Sequence, residues 1–168
     1  MDLLGPQSFE EISELFSQEN RFKDEEVCKN GDTWARDRFN EANAHFAGEW
    51  YEYRLSLAEI LNIKLPWHKY TYQTPEEGST VAEALQIPSV QTWIAEKAPN
   101  YPESSHILLS AGLFKTDAIE YRLMKNHESR LIMLDGQHRV VAWAKAEKPS
   151  FLAFIAGKPL DMGGMSNK

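Results

Sequence analysis

The spacing of apolar residues changes along the chain, and the changes mark its elements. Ile12, Leu15 and Phe16 recur at helical spacing behind Ser8-Phe9-Glu10-Glu11. That tetrad is a capping-box pattern, in which a hydroxyl and a carboxylate three residues apart satisfy amides at a helix start. It predicts a helix over about 8–19. Residues 20–32 are polar and end in the turn signal Asn30-Gly31-Asp32; Trp34, Phe39, Ala42 and Phe46 then predict a helix over about 33–47, closed by Gly48. At Trp50 the period drops to two: Trp50 to Leu57 alternates and is rich in aromatics, which is the pattern of a strand.

Residues 58–61 predict a short turn of helix, 63–67 a short extended piece and 68–79 a loop. Helices follow over about 79–86 and 88–97, the second opening on Pro88, which a first helical turn accepts. Pro99 and Pro102 break the pattern. Residues 107–111 predict a strand, and 118–124 with 130–134 predict a hairpin around Lys125–Ser129. Gln137 to Glu147 predicts a helix with Val140, Val141 and Ala144 inward; Pro149 ends it, and Phe151–Ile155 predicts a last strand. The fold class expected is α+β, a small mixed sheet with flanking helices and an N-terminal helical extension. Its divisions are an acidic helical extension over 1–47, a core over 48–156 and a flexible glycine-rich tail over 157–168.

Composition narrows the class. With 168 residues, 42% hydrophobic and 26% charged, the chain fits one ordinary core. No apolar run approaches the roughly 20 residues that span a bilayer. The N-terminus carries neither a basic region nor a long apolar stretch, so a cytoplasmic location and no membrane partner are expected. Cys28 is the only cysteine, which excludes an internal disulfide and a thiolate metal cage. The net charge of −7 is unevenly placed: residues 1–52 hold 13 acidic and 5 basic side chains (−8), and residues 53–168 hold 12 and 13 (+1). DNA binding calls for a concentrated basic surface, which this distribution does not supply. The acidic segment suits a basic protein partner, or simply a solvated helical surface.

One constellation carries chemistry. Asp135-Gly136-Gln137-His138-Arg139 places a glycine between a predicted strand and a predicted helix, with histidine and arginine in the first turn. Amides at a helix start lack internal partners and, with the helix dipole, attract an anion. Gly136 allows a sharp turn and close approach of a ligand. Arg139 supplies a planar fork for phosphate. His138 can donate to the same oxygens or move a proton near neutral pH. Asp135 can ligate Mg²⁺, orient His138 or cap the helix. Asp-Gly is also an ordinary turn, and histidine and arginine are ordinary first-turn residues. His45 and Glu49, four apart, form a possible ligand pair without an evident third ligand. Glu52 can reach the turn only if its strand lies beside it. His68, His106 and His127 receive no role, and the five tryptophans read as core rather than as a base-stacking platform.

Strand, Asp135-Gly136-Gln137-His138-Arg139, helix, strand resembles the signature of the ParB/sulfiredoxin superfamily, in its Asp-Gly-Gln-His-Arg branch. The likeness is good over about 107–156, loose over 50–106 and absent over 1–46. It implies a phosphate-receiving turn at Gly136, Gln137, His138 and Arg139, with ATP or another nucleotide, and Mg²⁺ at Asp135. Asp135 and His138 are the catalytic candidates if the protein is an NTP-dependent hydrolase, a kinase-like enzyme or a nuclease. Gln137 stands where sulfiredoxins carry a reactive cysteine, which removes thiol repair. No helix-turn-helix domain follows within the sequence, which argues against DNA partition. Plasmid transfer-inhibition factors have a comparable glycine–histidine–arginine turn. Kinship with them implies the alternative, a non-enzymatic inhibitor or adaptor acting through acidic N-terminal helices.

Overall fold

A computed structural model describes residues 1–19, 34–66, 79–97, 106–118, 121 and 130–159. The elements in chain order are β1 (Asp2–Gln7), α1 (Phe9–Glu19), α2 (Trp34–His45), β2 (Trp50–Ser56), α3 (Leu57–Leu61), β3 (Lys64–Leu65) and β4 (Ser79–Thr80). Then come α4 (Val81–Ala84), α5 (Pro88–Lys97), β5 (Ile107–Ser110), β6 (Ile132–Asp135), α6 (Gln137–Lys145) and β7 (Ser150–Ala156). Among the described residues the strands form one mixed sheet of seven in the order β1-β2-β7-β5-β6-β3-β4. β5 runs parallel to β7 and β3 parallel to β6; the other neighbours are antiparallel. The class is α+β, as the pattern predicts.

The central strands β5, β6 and β7 are apolar everywhere but at one end, where Ser110, Asp135 and Ser150 stand, because both faces of the sheet are covered. Successive side chains point to opposite faces. Ile107, Leu109, Met133, Phe151, Ala153 and Ile155 therefore meet α3, α4, α5 and α6 through Ile60, Val81, Val90, Val140 and Trp143. Leu108, Ile132, Leu134, Phe154 and Ala156 face the other way, onto Ile12, Phe16, Phe39 and Ala42 of α1 and α2.

That second layer corrects the expectation of a separate extension over 1–47. β1 is an edge strand, running antiparallel to β2 from Asp2↔Arg54 to Gln7↔Trp50. Gly5 and Pro6 hide it from a reading of the sequence, since both residues weaken a strand. They are tolerated at the edge, where one row of backbone groups needs no ladder partner, and beside the irregularity between Leu3 and Gly5. Phe39 stacks on Phe9 at 4.9 Å and on Phe16 at 5.2 Å. Arg36 joins the two helices by donating to Ser13 Oγ at 3.0 Å and Ser17 Oγ at 2.5 Å. Trp50, fully buried, donates to Asn43 Oδ1 at 2.8 Å. Ile12, Phe16, Phe39 and Ala42 of these helices are buried inside the fold, while Leu15 stays exposed.

The predicted hairpin is also revised. Tyr121 is helical, not extended, and its buried hydroxyl donates to the Met133 carbonyl at 2.7 Å. β6 takes β5 and β3 as its partners. The remainder of 119–129 lies outside the described residues, as do Cys28, His68, His127 and residues 160–168 of the expected tail. Among the described residues no helix is long and apolar enough to cross a membrane.

Candidate functional site

The Asp135–Arg139 segment is a strand–turn–helix junction. β6 ends at Asp135, Gly136 takes the left-handed conformation at φ 98° and ψ 18°, and α6 begins at Gln137. As the N-cap residue, Gly136 has no side chain with which to cap the helix. The glycine is needed twice over. A side chain is disfavoured at that φ by about 1–2 kcal/mol, and a Cβ there would lie 2.9 Å from Ile107 Cγ2. Leu108 pairs with Asp135, so the turn sits at the end of the sheet where β5 starts.

The structure brings Asp135, Gly136 and Arg139 together. Arg139 Nη2 lies 3.2 Å from Asp135 Oδ2, one helical turn back. The guanidinium also lies against the glycine, since a Cβ at 136 would be 3.1 Å from Nη2 and 3.3 Å from Nε. Arg139 is buried, and Gln137 and His138 are half-buried beside it. The expected open fork, turned toward a ligand, is thus folded onto its own motif's carboxylate. Asp135 and Arg139 each neutralise the other, which a half-buried pair of ions requires.

Two other sequence candidates are separated. α2 ends at His45, and Glu49 follows Ala47 and Gly48, both at positive φ, so the two do not share a helix face. His45 Nδ1 instead accepts from the Lys115 amide at 3.2 Å. Among the described residues no group of three or more His, Cys, Asp or Glu could hold a metal ion. Glu52 does not lie beside the turn, because β7 and β5 stand between β2 and β6.

Glu52 has a partner that sequence reasoning missed. Its Oε1 lies 2.8 Å from His106 Nε2, and its Oε2 accepts from Gln7 Nε2 at 3.3 Å. The His106 ring stacks flat on Phe154, with centroids 4.1 Å apart and planes 4° apart. A signal was available: Glu52 is two residues from buried Trp50, on the same side of its strand, and a carboxylate on a covered face calls for a donor. Beside this group a cleft of about 10 Å³ is lined by Ile12, Leu15, Phe16, His106, Leu108 and Phe154. It lies between α1 and the sheet, on the opposite face from Arg139. His106 immediately precedes Ile107, whose side chain abuts Gly136, so cleft and turn share one end of the sheet.

Fold and junction together define a layered α+β protein with a glycine-started helix at the end of an interior strand of a mixed sheet. The chain belongs to DUF6309, a family of unknown function, whose profile matches residues 1–165. No curated protein and no solved structure matches it.

Proposed function

We propose that the protein binds a phosphate-bearing ligand, by preference a nucleotide, at the turn from Asp135 to Arg139. The observation that carries this reading is Gly136. It begins a nine-residue helix in a left-handed conformation with no capping side chain, and an arginine lies against the same glycine. Amides of Gln137 and His138 would meet the phosphate, as helix starts do. The resemblance to the ParB/sulfiredoxin turn supports the same assignment. Phosphate must then compete with Asp135 for Arg139, so binding exchanges one anion for another at the guanidinium. Asp135 is the only carboxylate within the motif, so the donor set does not make a resident metal site. Mg²⁺ would come with the nucleotide's own oxygens, the usual arrangement for that ion.

Thermal unfolding with ATP, CTP, GTP, ADP and tripolyphosphate, each with and without Mg²⁺, tests the reading. A ligand at a hundredfold excess over its Kd stabilises by roughly 2.7 kcal/mol. Saturable stabilisation by at least one of them is expected. Arg139→Gln should weaken its binding about tenfold to about a hundredfold, as loss of a charged hydrogen bond does. Absence of stabilisation by all five, or unchanged affinity in Arg139→Gln, overturns the assignment.

A further inference from the structure

We infer that His106 and Glu52 form a second ligand site, independent of the phosphate turn, which receives the hydroxyl of a small apolar alcohol. The arrangement has three parts. Glu52 is held at both oxygens, by His106 Nε2 at 2.8 Å and by Gln7 Nε2 at 3.3 Å. The imidazole is held in plane by the stack on Phe154. The remaining walls of the adjoining cleft are Ile12, Leu15, Phe16, Leu108 and Phe154, all apolar.

A carboxylate on Nε2 selects the tautomer with hydrogen on that nitrogen. Nδ1 is then the acceptor of the ring, and among the described residues no hydrogen bond is made to it. A ligand that satisfies this wall supplies a donor from an otherwise apolar body. An anion is disfavoured by Glu52, and a bare hydrocarbon leaves the imidazole nitrogen unsatisfied. The cleft is partly open to solvent, and its volume of about 10 Å³ has room for no more than one group the size of a hydroxyl. The body of the ligand lies outward, against Leu15, which is 41% exposed. One polar side chain among apolar ones is the usual division of labour in small-molecule sites.

Phenol is the probe, and benzene its counterpart without a donor. With the full chain, phenol should shift the His106 ring-proton NMR signals saturably, with an affinity at least about tenfold above that of benzene, equivalent to about 1.4 kcal/mol. His106→Phe keeps a ring to stack on Phe154 and should abolish the preference for phenol. Leu15→Trp, on the exposed outer wall, should weaken both probes without disturbing the fold. Equal affinity for phenol and benzene, no binding of either, or an undiminished phenol preference in His106→Phe overturns the inference. None of these outcomes depends on nucleotide binding at Gly136, so the two assignments stand or fall separately.

Discussion

Arg139 reaches back one helical turn to Asp135, its Nη2 3.2 Å from the carboxylate, across a glycine that leaves room for nothing larger. The relationship makes the pair a structural element of the junction before any ligand is considered. It ties the end of β6 to the first turn of α6, which packs beneath it through Val140, Val141 and Trp143.

From sequence alone, Arg139→Ala should barely affect stability, because an exposed first-turn arginine does little. Its burial changes that expectation. Arg139→Ala should destabilise by about 1–3 kcal/mol, since it leaves Asp135 without its cation. A double-mutant cycle with Asp135→Asn, read by urea denaturation, should give a coupling of at least about 0.5 kcal/mol. Strict additivity would show that the contact contributes nothing.

Two glycines should resist alanine for different reasons. Gly157 has φ 80°, and a Cβ there would collide with the Phe46 ring. Gly157→Ala should cost the left-handed penalty of about 1–2 kcal/mol and a further 1–3 kcal/mol, roughly, for overpacking. Phe46→Ala should relieve only the second part, so the double variant should be more stable than additivity predicts. Gly136→Ala should cost a similar amount and resist rescue, because its closest neighbour is buried Ile107.

Acid should weaken the start of α4. The Glu83 carboxyl is held below its ordinary 4.5, first by the hydrogen bond from the Thr80 amide, against some burial, with the Thr80 hydroxyl, Lys64 and Arg130 assisting. A group whose pKa falls on folding adds stability above its unfolded value and loses it as the pH drops toward the folded one. The urea midpoint should therefore fall as the pH drops below the carboxyl's ordinary 4.5. Glu83→Gln, which keeps a capping-box side chain without the charge, should show a smaller fall. An identical pH profile in the variant would exclude Glu83 as a contributor.

Removal of residues 1–47 should unfold or aggregate the remainder. The deletion strips β1 from β2 and uncovers Trp50, Leu108 and Phe154. Ile12, Phe16 and Phe39 are buried at 1%, 4% and 1% exposure, and each stabilises by roughly 1.5–3 kcal/mol. Their sum approaches the 5–15 kcal/mol that roughly holds a domain together. A cooperative unfolding transition in a chain beginning at Gly48 would restore the view of a separable extension.

Much of this architecture is written locally. The helical spacing of Ile12 and Phe16, the alternation from Trp50, the all-apolar Ile107–Leu109 and the glycine before Gln137 each follow from the period of one element. Local chemistry thus determined the α+β class, most element positions and the strand–glycine–helix junction. It did not determine partners, because side-chain pairing across a sheet depends on strand order, and strand order is a property of the whole chain. Glu52 meets His106, 54 residues away, only because β2, β7 and β5 are neighbours. The same order keeps Glu52 from the Gly136 turn. Residues 2–7 become a strand despite Gly5 and Pro6 because an edge position tolerates both. Arg139 turns inward because Ile107 and the missing Cβ of Gly136 shape the space beside Asp135. Sequence fixes what each segment is able to form, and tertiary packing decides which charge each buried group must face, since a buried ion is stable only beside a partner.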